Sequence, residues 1–242
     1  MIGLVAVSHS RPLAEAAVHL ALQMGGDDPP TVRIAAGGPD DDLGTDAVAI
    51  AAAIDAADSG DGVLVLMDLG SAILSAETAL EFVAEPERVR LSPAPFVEGL
   101  VAAVVTAAGG AGLDAVAAEV RSAGEAKQRQ LGDGFTHSVG GVASGTNDDD
   151  ATSSFEAVIT NRSGLHARPA ATFVKAASRY DADVHILDLD AGSEEVSARS
   201  LLALMALGIR RGSRVRVRAS GPQAGPALAE LRALIDDGFG ER

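Results

Sequence analysis

The sequence predicts an α/β protein of two units: a doubly wound, mostly parallel sheet, then an α+β unit whose helices cover one face of an antiparallel sheet. Three observations carry this reading. In the first half, short runs that are apolar on both faces alternate with helical segments, as in a parallel sheet covered on both sides. In the second half the period changes, and Val215 and Val217 alternate with Arg214, Arg216 and Arg218, the pattern of a strand with one wet face. The charge is also divided unequally, with 7 Lys+Arg against 23 Asp+Glu in residues 1–150 and 12 against 11 in residues 151–242.

Taken in order, the strands of the first unit are expected at Ile2–Val7, Thr31–Ala35, Gly62–Met67 and Arg88–Leu91. The intervening helices are expected at about Leu13–Met24, Thr45–Ala57 and Ser71–Ala84, followed by Phe96–Ala108 and Leu113–Leu131. The second unit reads as strand Phe155–Thr160, helix Arg168–Ser178, strand Val184–Leu187, a short strand near Glu195–Val196, helix Arg199–Leu207, strand Arg214–Ala219 and helix Ala224–Asp236. Between the units, Gly140-Gly141, Ser144-Gly145, Asp148-Asp149-Asp150 and Thr152-Ser153 lack apolar periodicity and mark a solvated tether. The expected divisions are therefore residues 1–131, a linker over 132–153, and residues 154–242. A tether of about 23 residues has a root-mean-square span of roughly 25 Å, which places one unit around the other at millimolar effective concentration.

Composition narrows the chemistry. The chain has 242 residues, 47% of them apolar, enough for two proper cores. A net charge of −15 argues against nucleic acid or an anionic membrane as partner. There are 0 cysteines, which removes disulfides, thiolate metal sites and cysteine nucleophiles together. The start, Met1-Ile2-Gly3-Leu4-Val5-Ala6-Val7, has no basic segment before its apolar run and reads as a buried strand, not a secretory signal. The mildest stretch, Gly99–Leu113, holds Thr106 and four glycines and falls short of a membrane span. A soluble, cytoplasmic protein is expected. The five histidines show no His-Glu-x-x-His or paired metal spacing, so no metal is expected.

The most informative motif occurs twice. His9-Ser10-Arg11-Pro12 follows the first strand of the first unit, and His166-Ala167-Arg168-Pro169 follows the first strand of the second. Proline suits the first helical turn, where its missing N–H would have no intrahelical partner, so each histidine lies at or just before a helix N-terminus. Free amides and the positive helix end converge there, making a place where a phosphoryl group on the imidazole would be held, with the neighbouring arginine adding charge-assisted bonds. A neutral imidazole is a competent nucleophile for such a group. One four-residue pattern alone is weak, since ordinary cap-region histidines produce it; two at equivalent junctions in unlike units favour function.

Other residues gather at the same edge. Asp68, in Met67-Asp68-Leu69-Gly70-Ser71-Ala72, ends the third strand, which commonly neighbours the first in an open parallel sheet. It is placed either to bond one ring nitrogen of His9 and fix its tautomer, or, like Ser71, simply to cap the next helix. Gly37-Gly38 is either a plain turn or a place where backbone approaches the phosphate, and Gly44-Thr45-Asp46 supplies a loop and a cap. His19, His137 and His185 are expected to pack or face solvent. A hydrolase would place a nucleophilic Ser8 or Ser71 beside Asp68 and His9, but no Gly-x-Ser-x-Gly elbow is present.

From Gly164 to Val174, Gly-Leu-His-Ala-Arg-Pro-Ala-Ala-Thr-Phe-Val closely resembles the phosphorylation-site signature of HPr, the histidine phosphocarrier of the phosphoenolpyruvate-dependent phosphotransferase system. Ser197–Gly208 followed by Gly212 resembles the second helix of HPr, and the likeness covers about residues 154–238. It implies an open-faced β-sandwich, His166 as the phosphorylated residue and Arg168 as its stabilising partner. Ser200 falls at the regulatory serine of some HPr proteins, with Arg199 where a lysine is usual. In the first half, Val5–Ser10, Ala35–Gly38, Leu43–Ala47, Val65–Ala72 and Pro95–Gly99 resemble the phosphocarrier domain of the DhaM family, related to mannose-class enzyme IIA domains. That resemblance implies His9 as phosphoacceptor, Asp68 as its orienting partner, and a homodimer through the first unit. Gly38, Thr45 and Ser71, at the same edge, are expected to stabilise or orient the phosphoryl group. The resemblance further implies enzyme I as donor and, as acceptor, Mg-ADP on the DhaL subunit of dihydroxyacetone kinase, with DhaK holding the substrate. The expected cofactors are phosphohistidine intermediates, with none bound permanently. Because the chain ends at Arg242 without an enzyme I-like domain, a separate enzyme I is expected. A regulatory phosphohistidine module without kinase activity is the alternative.

Overall fold

A computed structural model describes residues 1–38, 42–124, 153–162 and 164–240. The chain divides into two compact units, Met1–Gly124 and Glu125–Arg242. The expected linker, apart from Ser153, lies outside the described residues, as do His137 and residues 125–131 of the helix expected to run to Leu131.

The first unit is built on a fully parallel sheet of β1 (Gly3–Ser8), β2 (Val32–Ala36), β3 (Val63–Met67) and β4 (Val89–Ser92), in the order β2-β1-β3-β4. Every residue of β1 and β3 is buried, as expected for strands covered on both faces. Val5, Val7, Val63, Val65 and Met67 pack with Ile50 and Ile54 of α2 (Ala47–Ala57) and Ala72 and Ala76 of α3 (Ser71–Ala79). Leu66, pointing the other way, lies against Gly99 of α4 (Phe96–Ala108), which packs between α1 (Arg11–Gly25) and α5 (Leu113–Arg121). The doubly wound arrangement is the one expected.

Several helix ends differ from expectation, each for a local reason. The helix expected from Thr45 begins at Ala47, because the Asp46 carboxylate caps it by accepting from the amides of Val48 (2.8 Å) and Ala49 (3.4 Å). The helix expected to reach Ala84 stops at Ala79. There the amides of Leu80, Glu81 and Phe82 tighten onto carbonyls three residues back, and Asp55 takes the amide of Ala84 at 3.2 Å. At the end of α5 the amides of Ser122 and Ala123 turn back on Glu119 and Val120 in the same way.

The second unit is an antiparallel sheet of β5 (Ser153–Val158), β6 (Asp183–Asp188), β7 (Val196–Ser197) and β8 (Arg214–Ser220), ordered β5-β8-β6-β7. On one face Val184, Ile186, Val215, Val217 and Ala219 are buried beneath α6 (Ala167–Ser178), α7 (Leu201–Ala206) and α8 (Ala224–Asp236). On the other, Arg216 pairs with Glu156 at 2.7 Å and Arg218 with Glu195 at 3.1 Å. The first strand begins two residues earlier than expected, since Ser153 already pairs with Ala219 and the ladder closes at Val158 opposite Arg214. Arg199 is not helical: the Ser200 hydroxyl caps α7 by accepting from Ala203 N at 3.0 Å, while Arg199 holds the carbonyls of Tyr180 (2.7 Å) and Ala182 (3.0 Å).

At Gly3 the last turn of α2 comes so close that a Cβ would lie 2.2 Å from the carbonyl oxygen of Ala57. Gly3→Ala is therefore expected to destabilise the first unit by about 1–3 kcal/mol, the usual range for overpacking, measured by chemical denaturation followed by circular dichroism.

Candidate functional site

The carboxyl edge of the parallel sheet carries the first site. Beyond the formal strand ends the ladder continues one step, with Asp68 N donating to Val7 O (3.1 Å) and Gly37 N to Ser8 O (3.1 Å). This brings Asp68 beside Ser8 and His9. Its Oδ1 lies 2.9 Å from His9 Nδ1, and its Oδ2 accepts from His9 N at 2.9 Å and from Ser8 Oγ at 2.8 Å. Gly44 N donates to the His9 carbonyl at 3.0 Å, so the backbone is held as well as the ring.

The Asp68 side chain is 6% exposed and that of His9 25%. Burial pushes the Asp68 pKa up, but hydrogen bonds from the His9 ring, the His9 amide and the Ser8 hydroxyl outweigh it, helped by the charge of His9, and hold it below the ordinary carboxylate value. An ionised carboxylate only accepts, so Nδ1 carries a proton, and in the neutral ring Nε2 holds the lone pair. Nε2 lies 3.0 Å from Ser71 Oγ, at the first residue of α3. This nitrogen thus sits at one helix N-terminus, while α1 begins two residues after the histidine.

The second site is pinned by backbone. Gly164 adopts φ +69°, and a Cβ there would lie 2.3 Å from Ile209 O. Asn161 Nδ2 donates to Gly164 O at 2.8 Å and Leu165 N to Ile209 O at 3.0 Å. His166 follows as the N-cap residue of α6, extended and exposed, with its carbonyl accepting from Ala170 N at 2.9 Å. Arg168 lies exposed on the same first turn, its guanidinium in no ion pair among the described residues, and Pro169 is buried. The helix starts one residue earlier than expected because His166 itself terminates the extended loop.

Of the residues expected around His9, the structure brings together Asp68 and Ser71. Gly38 and Thr45 are engaged elsewhere: Gly38 N donates to Asp42 O at 2.9 Å, and Thr45 Oγ1 bonds Ser75 Oγ at 2.7 Å. A Cβ at Gly38 would lie 2.1 Å from Asp42 Oδ1. Ser8, a candidate nucleophile for a hydrolase, is 0% exposed with its hydroxyl on Asp68, which turns it away from any substrate. Sequence reasoning placed Gly44 in a loop at this edge but missed the bond from its amide to the His9 carbonyl, and it missed the anchoring role of Ser8. The adjacency of Ser8 to His9 at a strand end was the available signal. His19 is exposed beside Gln23, and His185 Nδ1 lies 3.7 Å from Asp183. Among the described residues no three His, Asp or Glu side chains cluster to hold a metal ion, and no helix is long and apolar enough to cross a membrane.

The family model PTS-HPr, described as the PTS HPr component phosphorylation site, matches residues 153–237, and EIIA-man, described as the PTS system fructose IIA component, matches residues 3–117. Phosphocarrier protein HPr of Vibrio cholerae is 45% identical over 78 residues, 32% of this chain and 88% of that protein. The chain belongs to the phosphotransferase-system carriers, an EIIA-man domain followed by an HPr domain. It is also similar along its whole length to the PEP-dependent dihydroxyacetone kinase, phosphoryl donor subunit DhaM: 42% identical over 245 residues in Klebsiella michiganensis and 43% over 246 in Escherichia coli K12. Each match takes in 100% of this chain and 51% of the relative, so the chain spans about half the length of the curated relatives it matches. His166 falls within the HPr match and His9, Asp68 and Ser71 within the EIIA-man match.

The lowered pKa of Asp68 has a thermodynamic sign. Its contribution to the EIIA-man domain is fully present above the ordinary carboxylate pKa of about 3.9 and is lost as pH falls through the lower folded value. Asp68→Asn is expected to lower stability at pH 7 by about 1–3 kcal/mol and to flatten that acid dependence, checked by chemical denaturation between neutral and acid pH.

Proposed function

We propose that the chain relays phosphoryl groups from an enzyme I phosphohistidine to His166, then to His9, then to Mg-ADP bound on DhaL, with DhaK holding dihydroxyacetone. The observation that carries this reading is the pairing of His9 Nδ1 with Asp68, which leaves Nε2 with its lone pair beside Ser71 and the start of α3. Attack by Nε2 on phosphorus forms the new N–P bond as the donor N–P bond breaks and its electron pair returns to the donor ring. Phosphoryl transfer asks for positioning and charge stabilisation more than covalent chemistry. Ser71 Oγ, displaced from Nε2 by the arriving group, donates to its oxygens, and the helix N-terminus favours their negative charge. At His166, the exposed ring at the N-cap of α6 is open to a donor, and Arg168 supplies the cation. The intermediates are phosphohistidines with no permanently bound cofactor, and the EIIA-man domain forms a homodimer.

The relay is tested by incubating the protein with enzyme I and labelled phosphoenolpyruvate, then chasing with DhaL·ADP. His166→Ala is expected to leave position 9 unlabelled, and His9→Ala to leave label on His166 that the chase does not remove. Full labelling of position 9 in the first variant overturns the internal relay. Label that persists in the unaltered protein through the chase points instead to a regulatory phosphohistidine module.

A further inference from the structure

We propose that Ser8 is a positioning residue for phosphoryl transfer at His9: its hydroxyl holds the Asp68 carboxylate against the ring edge and so keeps the imidazole proton on Nδ1. The proposal rests on the reading of His9 as phosphoacceptor and adds to it a residue that never touches the phosphoryl group. Ser8 is the last residue of β1 and is 0% exposed. Its Oγ lies 3.0 Å from Ser10 N and accepts that amide, leaving a single O–H to donate. Two acceptors compete for it, Asp68 Oδ2 at 2.8 Å and Ser10 O at 3.0 Å. The ionised oxygen is the stronger.

The bond has a chemical consequence. With Ser8, the carboxylate receives three donors, which fix its orientation and make it a weak base. Among the described residues His9 is the titratable group that acts on Asp68, through its ring, its amide and its charge; the Ser8 hydroxyl supplies the remaining bond. The proton therefore stays on Nδ1 throughout. On loading, the Nε2 lone pair forms the N–P bond and the ring becomes a cation balanced by Asp68. On discharge, the N–P electron pair returns to Nε2 and the ring departs as neutral imidazole, still protonated at Nδ1. Without Ser8 the carboxylate keeps only the His9 amide and ring, is held less firmly at the ring edge, and the ring populates more of the tautomer with its proton on Nε2, which has no lone pair for phosphorus.

The test uses the full chain with Ser8→Ala, Ser8→Cys and Ser8→Thr. Two measurements are made: nitrogen-15 NMR of the His9 ring without phosphate, and the rate at which phosphoramidate, a small donor that needs no docking, labels position 9, located by peptide mass spectrometry. For Ser8→Ala and the weakly donating Ser8→Cys, the ring spectrum is expected to shift towards mixed tautomers. Labelling is expected to slow about tenfold, as for loss of one hydrogen bond to a charged group, with KM for phosphoramidate unchanged. Ser8→Thr, which keeps the hydroxyl, is expected to restore the spectrum and the rate. A folded Ala or Cys variant with the wild-type ring spectrum and rate overturns the proposal. Should one variant fail to fold, the other decides. No label on position 9 of the wild-type chain overturns the phosphoacceptor reading instead, and the ring spectra of the unphosphorylated variants still judge the Ser8 contact.

Discussion

The first site depends on one carboxylate. Asp68 collects three hydrogen bonds, from the ring and amide of His9 and from the Ser8 hydroxyl, and through them joins the ends of two adjacent parallel strands to the His9 imidazole. A buried anion is tolerable only when its lone pairs are satisfied, so the same bonds that make burial of Asp68 possible also dictate where the imidazole lies. Positioning and protonation state are set by one network. Ser71 then meets the remaining ring nitrogen from a third element, α3.

The second site reaches a comparable end by other means. His166 is placed by a left-handed glycine, the Asn161 carboxamide and the Ile209 carbonyl, all acting on backbone. One ring is thus oriented by side-chain chemistry and stands 25% exposed, while the other stands exposed at a helix cap.

Much of this was legible in the residues. The central strands β1 and β3 announce themselves because both faces are apolar, and the Arg–Val alternation of residues 214–218 reports a one-sided sheet. Adjacency of the first and third strands follows from common parallel topology, and with it the meeting of His9 and Asp68. Helix ends were less legible, because they are decided by single side chains: the helices capped by Asp46 and Ser200 begin two positions later than apolar periodicity suggests, and Asp55 captures the amide of Ala84 from across the fold. Gly38 and Thr45 sit at the right edge of the sheet but spend their polar groups on Asp42 and Ser75, a preference that depends on loop geometry and not on spacing. The anchoring by Ser8 and Gly44 was hidden for the same reason, since a hydroxyl or amide shows its partner only once the chain is folded.

The sheet ladder running one step past β1 and β3 ties the His9 imidazole to two wholly buried strands. Backbone bonds of such core strands open with the global transition more than by local fraying. On heating, the ring is therefore expected to keep its alignment until the parallel sheet gives way, so warming does not blur the geometry around His9 by degrees; it abolishes it in a single cooperative step.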